Sequence, residues 1–281
     1  MKAASFEYIR PATLDDALAA LASPSGGAAA KVMGGGQSLG PMLNLRLARP
    51  RQVVDVSALP ALRSVARDGE WIRIGAAVTH AQIEDGIHPL LRGGLLQSVA
   101  GGIAYRAIRN RGTVAGSLAH ADPAADWVLA MTALGAQVEI ASAGAKRSVP
   151  MERFMHGAYT TDLAEGELIT AVRVPVLGDS ACWGYTKFCR KTGEFAEASC
   201  CAVFDPARRV ARVVIGALDG APRALPALAA QVARSGSLPG REAVVAAVAE
   251  AAPGKDAVDR KLMATAVERC LQQTLNLEVA A

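Results

Sequence analysis

Two stretches of small residues offer the first chemistry in this sequence. Gly34-Gly35-Gly36-Gln37-Ser38 stands between an apolar run and a helix-like segment. Consecutive glycines let main-chain N–H groups close on a phosphate, and a following helix adds the positive end of its dipole. A tight strand-to-helix turn has the same composition, and one loop does not separate the two readings. Gly112-Thr113-Val114-Ala115-Gly116-Ser117 offers a second set of small residues, with two hydroxyls. Two such loops far apart in the chain suit a pyrophosphate gripped between two lobes, and hence a dinucleotide cofactor.

Three further side chains belong with the loops. Asp122-Pro123 reads as an N-cap followed by proline at the first helical position, which places Asp126 one turn into that helix. A carboxylate there can accept hydrogen bonds from sugar or ribityl hydroxyls; a solvated first-turn acid, favoured by the helix dipole, reads the same way. In a strand, Tyr185 and Lys187 share one face. A ring and an ammonium there suit a flavin and its electron-rich edge, although a basic edge strand with a surface tyrosine has the same pattern. The Rossmann fingerprint is a rival for the first loop, with Asp55 as the ribose-binding acid. Its register fails, because the required glycines fall on Leu39 or Gln37.

The elements that must position these groups are legible in outline. Thr13-Leu14-Asp15-Asp16 has capping-box spacing and opens a helix through Leu18 and Leu21. Residues 28–33 form an apolar strand into the first loop. Residues 39–47 read as a helix with Pro41 in its first turn, and residues 52–56 as a second strand. Trp71-Ile72-Arg73-Ile74 is a strand, Thr79-His80-Ala81-Gln82 a second capping box, and residues 88–100 a helix. Trp127, Ala130, Met131 and Leu134 recur on one helical face that Gly135 ends. Strands follow at 137–140, 168–174, 184–188, 199–204 and 210–218. Helices near 224–234, 241–252 and 257–276 close the chain. Boundaries fall near Ser57 and Gly178, dividing the chain into 1–57, 58–177 and 178–281.

Composition narrows the function classes. The chain has 281 residues, 51% hydrophobic and 20% charged, which excludes a disordered chain. At roughly 150 residues per domain, about two domains are expected. Aromatics are only 4%, so the core is alanine, valine and leucine packing. The net charge of +4 is too small to point to nucleic acid. The first residues lack a secretory pattern, and no run of about 18 apolar residues marks a membrane span. Five cysteines contain no Cys-x-x-Cys pair, as expected of reduced thiols in a cytoplasmic protein with no iron–sulfur or zinc motif of its own. The four histidines (His80, His88, His120, His156) show no metal spacing and read as capping or surface residues. Tyr8 and Phe6 read as core. Cys189 reads as a buried thiol on the Tyr185/Lys187 face.

Taken together, these segments resemble one family. The matching stretches run in order: Gly34 to Leu39; Ile108-Arg109-Asn110-Arg111 into Gly112 to Ser117; Ala121-Asp122-Pro123 with Asp126; Gly157-Ala158-Tyr159-Thr160-Thr161 and Gly166-Glu167-Leu168; then Tyr185-x-Lys187-x-x-Arg190-Lys191. They are similar to the FAD-binding medium subunit of the molybdenum hydroxylases, which includes the carbon monoxide dehydrogenase medium subunit and the flavin domain of xanthine dehydrogenase. The resemblance implies an α+β fold, with two subdomains clasping FAD and a C-terminal domain of antiparallel sheet and helices.

It also implies roles. Gly35, Gly36, Gln37 and Ser38 match the first pyrophosphate loop, with Lys31 and Leu39 beside it. Thr113, Gly116 and Ser117 match the second. Asp126 matches a ribityl contact, Ile169 an adenine-side contact, Tyr185 an aromatic beside the isoalloxazine ring, and Lys187 a basic residue near it. No catalytic residue or metal ligand is implied in this chain. Partners follow: a small subunit with 2Fe–2S clusters and a large molybdopterin subunit, in a dimer of heterotrimers. The flavin subunit would pass electrons from the clusters to NAD, oxygen or a quinone. A self-sufficient flavin oxidase or reductase of related fold, or a flavin-free assembly subunit, are the alternatives. One departure bears on the site. The family usually has two adjacent glycines where this chain has Ala115. A positive φ there, or a methyl facing the phosphate, would weaken FAD retention.

Overall fold

The computed structural model describes residues 2–23 and 30–277. It is an α+β fold built on three main sheets. The first holds β1 (Glu7–Ile9), β2 (Ala30–Met33) and β3 (Gln52–Asp55) in the order β1-β3-β2, all parallel. Parallel neighbours need crossover connections. Here α1 (Leu14–Ala22) and α2 (Leu39–Asn44) lie in them. The capping box on α1 forms as predicted, with Thr13 and Asp16 bonding each other's main-chain N–H. The predicted strand over 28–33 is observed from Ala30; residues 28 and 29 lie outside the described residues.

The second sheet is antiparallel. It combines β4 (Val65–Asp68), β5 (Trp71–Gly75), β6 (Gln137–Ala141), β7 (Lys146–Pro150) and β10 (Leu168–Pro175) in the order β4-β5-β10-β6-β7. Between β7 and β10 lie a short helix, α8 (Met151–Phe154), and a small ribbon of β8 (Met155–Gly157) and β9 (Thr160–Thr161). The excursion between β5 and β6 holds α3 (His80–Glu84), α4 (Leu95–Gly102), α5 (Arg106–Arg109), α6 (Val114–His120) and α7 (Asp126–Leu134). The third sheet is β11 (Cys182–Phe188), β12 (Ala198–Asp205), β13 (Val210–Gly216) and β14 (Arg223–Ala224), in chain order and antiparallel. Against it pack α9 (Pro226–Ser235), α10 (Arg241–Ala251) and α11 (Ala257–Thr274), burying Met263, Val267 and Leu271.

Four local expectations change. The helix over 88–100 is broken: a 3-10 turn over Pro89–Leu91 precedes α4, because Gly93 turns the chain at φ +67°. The helix over 39–47 stops at Asn44, where Arg46 turns left-handed at φ +59° and the Leu47 N–H closes back on the Met42 carbonyl. Asp122 is not an N-cap. Its carboxylate accepts from the Ala124 N–H within a turn, Ala125 is extended, and α7 starts at Asp126. Finally, α7 has no exposed face: all nine of its residues are buried. It lies between β10 of the second sheet and β12 and β13 of the third, which explains a helix that is apolar all round. Gly135 ends it in the left-handed conformation, as predicted.

Candidate functional site

The first loop leaves the carboxyl end of β2, the end at which open α/β sheets take ligands. Gly36 sits at φ +73°, a conformation that disfavours any side chain. Gly35 is held to glycine by contact instead. A Cβ there would stand 1.8 Å from the Arg111 carbonyl oxygen, and one on Gly34 would stand 3.0 Å from Thr113 Oγ1. The two loops, distant in sequence, therefore touch. Arg111 Nε adds a hydrogen bond to the Gly35 carbonyl at 3.3 Å, and Gln37 Nε2 donates to the same oxygen at 3.2 Å. Among the described residues no acceptor engages the main-chain N–H groups of Gly36, Gln37 or Ser38. Those are the donors a pyrophosphate requires. Lys31 is exposed on β2, and Leu39 opens α2.

The second loop is less open than its composition predicts. Thr113 caps α6, accepting from the Gly116 N–H at 3.1 Å. The Ser117 N–H goes to the Thr113 carbonyl, and the Val114 N–H to Val78. What remains at this helix start is the Ala115 main-chain N–H, the Ser117 hydroxyl and the side-chain-free edge of Gly116, which is exposed. Ala115 corrects the expectation drawn from its methyl. It lies inside α6, outside the residues with positive φ, and its side chain is packed in the core at 5% exposure. Neither route to weaker FAD retention is realised.

Asp126, Tyr185 and Lys187 come together. Asp126 is the first residue of α7 and is buried, not solvated. The Tyr185 hydroxyl donates to its Oδ1, and Lys187 Nζ donates to the same oxygen at 2.9 Å. Lys187 also reaches the Gly102 carbonyl, at 2.9 Å. Burial first, and then the Asp126 carboxylate, holds the Tyr185 hydroxyl protonated well above its ordinary range. The second carboxylate oxygen, Oδ2, takes no hydrogen bond among the described residues and is not among the sealed, unpartnered polar atoms. It can still accept a hydroxyl. Ile169 differs from the rest: it is a core residue of β10 at 3% exposure, paired with Ile140 of β6.

Other residues sit where the sequence did not place them. Tyr8 is 51% exposed, not core, and its hydroxyl bonds Asp55. Burial works against the Asp55 carboxylate, yet hydrogen bonds from Tyr8 and Ser57 hold it below its ordinary range. Cys189 lies past the end of β11, so strand alternation does not assign it a face. His80 is neither a cap nor a surface residue. Its side chain is buried, with Nδ1 accepting from Trp127 Nε1 at 2.9 Å. Arg106 and Arg109 are engaged by Glu84 and, for Arg106, Asp85. The capping box at Thr79 marked the start of α3, but no spacing pointed to the Trp127 partner.

Residues 4–177 match the family described as the FAD binding domain in molybdopterin dehydrogenase. The chain belongs to the FAD-binding medium subunits of the molybdenum hydroxylases. This flavin subunit is 36% identical over 225 residues to the nicotine 6-hydroxylase medium subunit of Paenarthrobacter nicotinovorans, covering 78% of this chain and 77% of that one. It is 34% identical over 221 residues to the carbon monoxide dehydrogenase medium chain of Hydrogenophaga pseudoflava, covering 78% and 76%. Among solved structures, carbon monoxide dehydrogenase from the same organism, in a form lacking the Mo-pyranopterin moiety, superposes with TM-score 0.87 at 30% identity. That match covers 98% of this chain and 99% of the other. Quinoline 2-oxidoreductase from Pseudomonas putida 86 gives 0.85 at 29% identity, over 98% and 99%. The flavin subunit is thus part of a molybdenum-dependent oxidoreductase. No helix among its described residues is long and apolar enough to cross a membrane.

Proposed function

We propose that this flavin subunit holds FAD between its two glycine loops and relays electrons from the 2Fe–2S clusters of a small partner subunit to an external acceptor. A large molybdopterin subunit oxidises the substrate, and the assembly is a cytoplasmic dimer of heterotrimers. Residues 1–57 and 58–177 clasp the cofactor, and residues 178–281 supply Tyr185 and Lys187. The observation that carries this reading is the meeting of the loops at Gly35 and Arg111, with the N–H groups of Gly36, Gln37 and Ser38 left to an anion.

When bound, FAD supplies the exchange between one-electron carriers and a two-electron acceptor. The chain supplies position and environment. Gly35 to Ser38, flanked by Lys31 and Leu39, would receive the first phosphate, and Thr113, Gly116 and Ser117 would border the second. Asp126 Oδ2 would accept from a ribityl hydroxyl. Ile169, in the core of β10, would stand on the adenine side. Tyr185 would stand beside the ring system, its proton retained by burial and by Asp126. Lys187, paired with Asp126, would place an ammonium donor near the same edge.

The test is to purify the native complex, separate its subunits, and assay flavin, iron and molybdenum in each. Flavin is expected with this chain, and iron and molybdenum with the others. Iron or molybdenum in this chain, or reduction of the isolated chain by the substrate of the complex, contradicts the proposal.

A further inference from the structure

We propose that His80 is a positioning residue for the cofactor site: its neutral imidazole sets the second glycine loop against the start of α7. The inference rests on the proposed function, since the loop and Asp126 are the parts it holds together.

Three contacts carry it. The His80 main-chain N–H donates to the Gly112 carbonyl at 2.9 Å, while Thr79 beside it forms a β-bridge with Thr113 and the Val78 carbonyl takes the Val114 N–H. The chain entering α3 is thereby laid on the chain entering α6. The His80 ring then crosses to α7, where Nδ1 accepts the Trp127 indole N–H at 2.9 Å. Trp127 is fully buried and follows Asp126 directly. An indole nitrogen only donates, so Nδ1 is unprotonated and the ring proton sits on Nε2. That nitrogen faces Gly112: a Cβ on Gly112 would stand 2.7 Å from it. Burial, with a smaller contribution from the positive charge of Arg109, moves the imidazole down to about 4, which keeps this tautomer neutral under ordinary conditions.

Simple packing predicts something different. A ring or branched side chain of similar volume would fill the same space. Positioning requires an acceptor where Nδ1 stands. Asparagine offers one there and leucine does not. Removing the acceptor leaves a buried indole N–H unpaired, which is costly and is relieved by movement of α7 or of the loop.

The experiment uses the full chain in its native complex, with His80→Leu, His80→Asn, Trp127→Phe and the His80→Leu/Trp127→Phe pair. Flavin dissociation rate and visible circular dichroism of the bound flavin are read beside the melting temperature. His80→Leu and Trp127→Phe are expected to release FAD about tenfold faster and to alter the flavin dichroism. The pair should be no worse than either alone, and His80→Asn should restore both readouts. Should His80→Leu not fold, Trp127→Phe and His80→Asn decide the question. The proposal is overturned if Leu and Asn act alike, or if flavin release is unchanged while melting temperature falls. A wild-type complex without FAD would overturn the functional reading itself.

Discussion

Lys187 Nζ and Asp126 Oδ1 stand 2.9 Å apart with side chains only 10% and 7% exposed, a pair that ties the C-terminal sheet to the first residue of α7. The same oxygen accepts the Tyr185 hydroxyl. Breaking a buried pair by removing one partner leaves the other charge without compensation, at about 3–5 kcal/mol. Asp126→Ala should therefore destabilise the chain by about 3 kcal/mol, because the Gly102 carbonyl alone remains for the ammonium. Lys187→Met should cost less, since Tyr185 still serves the carboxylate. Denaturant midpoints of the two variants check the order.

Gly35→Ala separates the loops. Its Cβ falls 1.8 Å from a main-chain oxygen, that of Arg111, so backbone must move. Overpacking of this kind costs about 1–3 kcal/mol. FAD content of the purified variant should fall well below that of wild type, whereas a variant with full flavin would mean that the loops need not touch.

Ala115→Gly is expected to do the opposite of repairing the site. Glycine inside a helix costs about 1 kcal/mol relative to alanine, and the buried methyl is lost. Melting temperature should drop while the ratio of FAD to chain stays that of wild type.

His80 gives the stability a pH dependence of defined sign. Its folded-state value of about 4 lies below the ordinary 6.5, so between those values the unfolded chain binds the extra proton. Stability then rises with pH from about 4 to 6.5 and is full above that range, a contribution of about 3 kcal/mol. Urea unfolding of wild type and His80→Asn across this range checks it: the variant should show the shallower slope.

The sequence made the frame legible where local physics decides. The capping boxes at Thr13 and Thr79, the glycine stop at Gly135, and the alternation that puts Tyr185 and Lys187 on one face all appear as read. Short or exposed strands such as Glu7–Ile9 and Val65–Asp68 were not legible, because their partners, not their own patterns, make them strands. The Asp122-Pro123 pair misled for a related reason: a turn satisfied Asp122 before a helix could use it. The His80–Trp127 bond and the Gly35–Arg111 approach join residues far apart in the chain, and no local spacing encodes such contacts. Asp126 was placed on the right helix, but its burial follows from two sheets closing on α7.

Whether this chain holds FAD is decided by the flavin content of the complex purified with it. Flavin is released by denaturation, identified by chromatography, and divided by the amount of chain. FAD is expected at about one molecule per chain and should be lost in Gly35→Ala. A colourless complex, or one whose flavin is indifferent to the Gly35 substitution, would contradict it.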